Sequence, residues 1–490
     1  MSAQAERFSM VIEMNPDLFI GGQWRKGSRP GRIDVVDPAT GNRIGSVADA
    51  DARDAISAVD AAFSAGRAWA SRPARERCEI LRKCYELIIR DVDALARLIS
   101  LENGKALKDA RGEVAYAAEF FRWFSEEGVR IKGDLGNAPS GNNQILVQYQ
   151  PIGVSLLVTP WNFPAAMATR KIAPALAAGC TCILKPATAT PLTAYAVARI
   201  LAEAGVPDGV VNVVTTSKTG EVVDTILKDP RVRKLSFTGS TEVGRTLLRE
   251  AANQVISSSM ELGGNAPFLV FEDADLAQAI QGAMVAKMRN GGEACTAANR
   301  FLVHRSVAED FTNLLVEAMS ALKLGPGISE ETDCGAMINA DAVEKVQELV
   351  DDAKACGARV RCGGQLKQGG GLYYPPTVLD RVPTTAKMFH EEIFGPVAPI
   401  YVFDDEEEAV SLANDTEYGL VAYLYTRDLS RGLRVSTALE AGMVALNRGL
   451  VSDPAAPFGG VKQSGLGREG AQHGILEFME PKYIATSWGT

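Results

Sequence analysis

The chain has 490 residues, 46% of them hydrophobic, and a formal net charge of −9 at pH 7. That length is worth roughly three units of about 150 residues around a large core; the acidic balance, with no basic run to override it, excludes nucleic acid as the main partner, because phosphate binding needs clustered Lys and Arg. The stretch MSAQAERFSMVIEMNPDLF is charged throughout, no later run approaches the ~18 uncharged apolar residues of a membrane span, and eight scattered cysteines fit a reducing compartment, so a cytoplasmic protein with no membrane partner is expected.

In chain order, Ala50 to about Ile131 carries apolar residues every three or four positions, with Gly104 as a stop, which predicts helices. NNQILVQYQPIGVSLLVTP then alternates at Ile145, Val147 and Tyr149, the pattern of an extended strand followed by a buried one. The short apolar runs GVSLLVT, CTCILKP, GVVNVVT and VRKLSFTGS are separated by helical segments such as TPLTAYAVARILAEAG, an alternation that predicts a parallel sheet with crossover helices. A second series runs from NAPFLVFEDADL through RFLVHR, RVRCGG, PTVLD, PIYVF, LVAYLYT and GMVALN. The fold class is therefore α/β, two lobes in succession, with a boundary near Leu262.

Several stretches carry possible chemistry. In MRNGGEACTAANR, Cys295 is bracketed by small residues rather than the large apolar ones around a packing cysteine; a second molecule and local N–H groups can approach it, so it is a candidate nucleophile. In VTPWNFPAAMATRK, prolines on both sides fix the turn that holds Asn162, whose amide suits an oxyanion hole or an ordinary loop cap. LSFTGSTEVG places Gly239 and Ser240 where a strand gives way to a helix N-terminus, a phosphate site or a plain turn. CILKPAT sets Lys185 at a strand end, where open α/β sheets bind ligands. Glu261 in MELGGNAP is a possible base for a thiol enzyme that must release its product to water, or a solvent-facing residue before a turn. GLGREG, Gly465 to Gly470, matches a dinucleotide fingerprint in letters only, since no strand and helix of a βαβ unit flank it. Cys180 and Cys182 read as strand packing, and His304, His390 and His473 as structural; no metal site is expected.

Taken in order, PWNFPAAMATRK, KPATATP, FTGSTEVG, MELGGNAPFLVFEDADL, NGGEACTAANR, EEIFGPV and APFGGVKQSGLGREG resemble the motifs of the aldehyde dehydrogenase superfamily, and within it the succinate-semialdehyde dehydrogenase group. The resemblance runs from LFIGGQW to LEFMEPKYIA. It implies a Rossmann-like cofactor domain over 1–135 and 153–261, an α/β catalytic domain over 262–460, and a small β oligomerisation arm over 136–152 and 474–490, assembled as a homodimer or homotetramer. It implies Cys295 as the thiolate that attacks the aldehyde, Asn162 with the Cys295 N–H as the oxyanion hole, and Glu261 as the base that hydrolyses the thioester. Lys185 and Glu392 would hold the two riboses, Gly239 and Ser240 the pyrophosphate, and Phe394 the nicotinamide, with Trp161, Thr188 and Leu262 also at the cofactor. Arg170, Arg289 and Ser452 would bind a substrate carboxylate, making succinate semialdehyde the expected substrate and a longer or aryl-bearing semialdehyde the alternative; a thiol hydrolase without cofactor is the rival class.

The chain departs from the family pattern in places. Glu293 stands where Gln is usual and would raise the pKa of the thiol if it pointed inward. Asp453 beside Ser452 would weaken a small dicarboxylic semialdehyde, and Ala297 removes the second cysteine found in many relatives. Thr188 replaces the Glu common in NAD-preferring members, so NADP is expected to be preferred, with NAD possible.

Overall fold

The computed structural model describes residues 12–366 and 371–487. Residues 1–11, 367–370 and 488–490, expected in the cofactor domain, the catalytic domain and the arm respectively, lie outside the described residues. The helical lead-in consists of Ala52–Ser71, Ala74–Arg90, Val92–Asn103 and Leu107–Glu127. A capping box of Asp51 and Asp54 opens the first, satisfying N–H groups that have no partner inside the helix. The third ends at Gly104, φ +94°, a left-handed residue that closes the last turn without a Cβ clash.

The first sheet orders eight strands as Gln23–Arg25, Leu18–Ile20, Val211–Val213, Thr181–Lys185, Val154–Val158, Val232–Thr238, Ser257–Glu261 and Gly465–Leu466. Its five central strands are parallel, and antiparallel strands close both edges. Period-two alternation buries both faces: Leu157 and Leu184 pack with the helices Leu107–Glu127 and Pro164–Ala178, while Leu156 and Ile183 pack with Ala52–Ser71 and Thr219–Leu227. From Val154–Val158 the chain moves outward on one side and returns to lay Val232–Thr238 on the other. That reversal opens a crevice at the carboxyl ends of the two strands.

The second sheet orders seven strands as Arg359–Cys362, Thr377–Asp380, Val397–Phe403, Ala298–His304, Ala266–Val270, Val421–Tyr425 and Met443–Leu446, parallel except at its first edge. A third, antiparallel sheet joins Asp134–Asn137, Gln144–Pro151 and Met479–Thr486, with Met479 opposite Pro151 and Thr486 opposite Gln144. No helix among the described residues is long and apolar enough to cross a membrane.

The helix Pro164–Ala178 is buried along its whole length, so its first N–H groups cannot turn to water. Glu113 Oε1 accepts from Ala165 N at 2.8 Å, and its other oxygen pairs with Lys105 Nζ at 2.7 Å, both side chains fully buried. Lys105 also donates to the Asn162 carbonyl at 2.6 Å and lies 4.1 Å over the Phe163 ring. Breaking such a pair from one side strands a buried charge. Lys105→Met is therefore expected to cost about 3–5 kcal/mol of stability, read by urea denaturation, and Lys105→Met with Glu113→Leu to recover part of that loss.

Candidate active site

The two sheets face each other across a crevice of about 350 Å³. The first sheet contributes Trp161, Asn162, Gly239, Ser240 and Leu262 to its walls, and the second Cys295, Glu392 and Phe394. Trp161 and Phe394 meet edge to face, ring centroids 5.5 Å apart. Ser240 caps the helix Thr241–Ala252, accepting from Val243 N at 3.4 Å, and the other N–H groups of that first turn are the kind that receive a phosphate. Thr238 Oγ1, also in the wall, is buried with no hydrogen bond among the described residues.

Lys185 and Thr188 lie at the next strand end, outside the crevice wall. The Lys185 ammonium is buried without a partner among the described residues, and burial pushes its pKa down to about 8. Glu392 accepts from Gly264 N at 3.0 Å and is pushed up to about 7 by burial. Unpartnered polar groups at two strand ends, a helix N-terminus between them and an aromatic pair at the mouth fit a dinucleotide: Lys185 and Glu392 would hold ribose hydroxyls and the Ser240 turn a phosphate.

Cys295 follows a tight turn in which Asn290, Gly291 and Gly292 all take positive φ. The Asn290 amide donates to the carbonyls of Asn162 (3.0 Å) and Glu293 (2.9 Å), and Asn162 Nδ2 donates to the same Glu293 carbonyl at 3.1 Å. Asn162 thus bridges two elements instead of capping its own turn, which fixes its amide plane and leaves the second N–H to point elsewhere. Gly264 has no room for a Cβ, which would stand 2.4 Å from the Cys295 carbonyl. Burial pushes the thiol up to about 12, opposed by Arg170 and Arg289 and reinforced by Glu392 and Glu261.

Glu293 is buried, accepts from Ile338 N at 3.2 Å and is pushed up to about 8 by burial, so near neutral pH it is mostly uncharged. Asp453 is exposed and turns into its own loop, accepting from Ala455 N at 2.9 Å. GLGREG is no phosphate loop: Gly465 and Leu466 pair antiparallel with Glu261 and Met260.

Glu261 ends its strand behind Cys295, away from the crevice wall, with both carboxyl oxygens lacking hydrogen bonds among the described residues. Its pKa is raised by burial and then by Glu469, against the fields of Arg170, Lys171 and Arg468. Glu469 pairs with Lys171 Nζ at 2.6 Å and Arg170 Nε at 3.1 Å. Glu469 lies inside GLGREG, but nothing in that motif signals its pairing with Lys171, 298 residues earlier. Arg170 is accordingly matched within the protein. Arg289 is not: its Nη2 lies 3.4 Å from both Thr296 Oγ1 and Ser452 Oγ, its guanidinium 5.2 Å over the Phe163 ring, and no carboxylate pairs with it among the described residues.

Fold and site together place a cysteine in a crevice whose walls fit a dinucleotide. The sequence profile of the aldehyde dehydrogenase family matches residues 24–484. The succinate-semialdehyde dehydrogenase of Paenarthrobacter nicotinovorans is 54% identical over 441 residues, 90% of this chain and 98% of that protein. The glutarate-semialdehyde dehydrogenase of Pseudomonas putida is 49% identical over 469 residues, 96% of this chain and 97% of that protein. A solved structure described as an E. coli NADP dependent enzyme is 48% identical, covers 98% of this chain and 99% of its own, and superposes with a TM-score of 0.96. The chain belongs to the aldehyde dehydrogenase family, and it is a nicotinamide-dependent oxidoreductase that converts an aldehyde to a carboxylic acid.

The raised pKa of Glu261 keeps it protonated below that value; with Glu261 in the role of base that the family resemblance implies, a hydrolysis-limited rate is expected to rise with pH. Glu469→Gln removes the like charge and leaves Arg170 and Lys171 to favour the carboxylate. The rising limb of kcat against pH is expected to move to lower pH in this variant.

Proposed function

We propose that the chain oxidises a short semialdehyde bearing a distal carboxylate, succinate semialdehyde before others, with NADP preferred and NAD accepted. The observation that carries this reading is Arg289, a half-buried guanidinium beside Ser452 and one residue's side chain from the nucleophile, with no anion of its own. Asp109 is near enough to feel its field but does not pair with it. A substrate carboxylate would supply the missing charge through charge-assisted hydrogen bonds. Longer semialdehydes are the second reading, favoured by the likeness to the Pseudomonas putida glutarate-semialdehyde enzyme.

Cys295 Sγ attacks the aldehyde carbon, and the oxygen that becomes negative is held by the free Asn162 amide N–H and the Cys295 backbone N–H, which has no acceptor among the described residues. When bound, the oxidised nicotinamide supplies the acceptor for the aldehyde hydride. The acyl group then rests on Cys295 as a thioester, and Glu261, once deprotonated, takes a proton from the water that cleaves it. The acid leaves and the thiol is restored. Thr188, a neutral residue beside the expected ribose, supports NADP because it brings no negative charge against a 2′-phosphate.

We take residues 12–135 and 153–261 as the cofactor domain and 262–460 as the catalytic domain; Gly465–Leu466, beyond both ranges, extends the first sheet. The three-stranded arm leaves open edges and exposes Leu135 and Tyr483, which supports a homodimer or homotetramer built by strand addition. A cytoplasmic location is consistent with eight free cysteines.

Arg289→Ala is expected to lower kcat/KM for succinate semialdehyde about 10- to 100-fold and to change that for butanal little. Initial rates with NADP and NAD under matched conditions test the cofactor preference, and a strong preference for NAD would reject it. Equal rates for wild type on the charged and uncharged aldehydes would reject the carboxylate pocket.

A further inference from the structure

The oxyanion hole proposed above takes one donor from each lobe. The Asn162 amide comes from the turn after Val154–Val158, and the Cys295 backbone N–H from the turn that leads into Ala298–His304. Donors of this kind act at about 2.7–3.1 Å from the oxygen they stabilise, so the two lobes must be held in register at this spot.

Asn290 crosses the gap between them. Its backbone N–H donates to Asp109 Oδ2, on the helix Leu107–Glu127, at 3.2 Å, and its Nδ2 donates to the Asn162 carbonyl at 3.0 Å. On its own side the same Nδ2 donates to the Glu293 carbonyl at 2.9 Å, an acceptor shared with Asn162 Nδ2 at 3.1 Å. One side chain thus ties the backbone of Asn162 to the backbone two residues before Cys295, and Asp109 pins it to the first lobe.

Two features show that the amide serves these bonds rather than the turn alone. Asn290, Gly291 and Gly292 have φ of 54°, 60° and 81°, a conformation that glycine adopts at no steric cost, yet Asn290 keeps a side chain. That residue is 2% exposed, and its Oδ1 has no hydrogen bond among the described residues, a desolvation penalty that glycine would avoid. The two carbonyls opposite Nδ2 also fix the amide's orientation, because the flipped form would set three oxygens together.

We infer that Asn290 is a positioning residue for the oxyanion hole: it registers the Asn162 amide against the Cys295 N–H across the two lobes, with Asp109 as the anchor of its backbone. The consequence is selective. Addition of the thiol to a carbonyl builds a negative oxygen and needs both donors in place, whereas displacement of iodide from iodoacetamide by the same sulfur builds none. Loosening Asn290 slows the first and spares the second. A residue that only kept the turn's shape would alter both, because it would move the sulfur itself.

The inference rests on the oxyanion-hole reading, and the experiment tells the two apart. Wild type, Asn162→Ala, Asn290→Gly and Asp109→Ala are compared, with Cys295→Ala as the blank. Acylation of Cys295 by 4-nitrophenyl acetate, in which the acyl–sulfur bond forms and nitrophenolate leaves, is followed as the nitrophenolate burst. Alkylation by iodoacetamide is followed on the Cys295 peptide by mass spectrometry, since the exposed Cys356 also reacts. Asn290→Gly, which keeps the left-handed backbone, is expected to lose at least about tenfold in acylation rate and in kcat/KM for aldehyde oxidation, while its alkylation rate and its NADP affinity stay as in wild type. Asp109→Ala, at a half-buried position, is expected to shift the same way by a smaller factor. If Asn162→Ala acylates as fast as wild type, the oxyanion-hole reading fails and the inference with it. If Asn162→Ala is slow and Asn290→Gly is not, or if Asn290→Gly loses alkylation by the same factor as acylation, the role of Asn290 is overturned. Should Asn290→Gly not fold, Asp109→Ala decides: slowed acylation with unchanged alkylation supports the inference, and any other result overturns it.

Discussion

A charge taken out of water needs an opposite charge or a set of hydrogen bonds around it, and around this crevice that requirement decides which groups are free to act. Lys105 with Glu113, Lys171 and Arg170 with Glu469, and Lys234 with Glu477 are closed pairs. None of them lines the crevice. Among the described residues Lys185 and Arg289 remain without anions, and Glu261 without hydrogen bonds. These are the groups that the proposed function assigns to the cofactor, the substrate and the water.

Burial disfavours the Cys295 thiolate and, together with Glu469, the Glu261 carboxylate. Each also raises the other's burden, since two anions behind and within one crevice repel. Two arginines bring their fields to Cys295: Arg170 is tied to Glu469, and Arg289 has no carboxylate partner among the described residues.

The sequence was most readable where periodicity and turn chemistry agree: the four helices after Ala50, the parallel runs of both sheets, and the strand-to-helix turn at Ser240 all lie where their patterns predict. The short hairpins near Leu18 and Arg32 and the strand Ser257–Glu261 were not legible by pattern. The last contains three serines and becomes a strand because Val232–Thr238 offers it a parallel neighbour, with Ser259 bonded to Glu477. At the site, Cys295, Asn162 and Glu392 stood out as residues in motifs. Lys105 and Glu113 did not, because the groups they hold on the helix Pro164–Ala178 and its lead-in lie 57 and 52 positions on; Glu469 sits inside GLGREG, but an ion pair 298 positions away leaves no local trace. The unusual Glu293 looked like a threat to the thiol, and the Ile338 N–H that occupies it lies 45 residues further along the same lobe.

The pairing of Lys171 with Glu469 and of Lys234 with Glu477 has a meaning for the life of the polypeptide. While the chain is still being made, the central strands of the first sheet precede the segment 469–478 by some two hundred residues or more, so two interior ammonium groups lack counter-ions, and the Cys180 thiol the Phe478 carbonyl that it meets at 3.2 Å, until that segment arrives. A product cut before Glu469 would carry Cys295 but no finished lobe beside it.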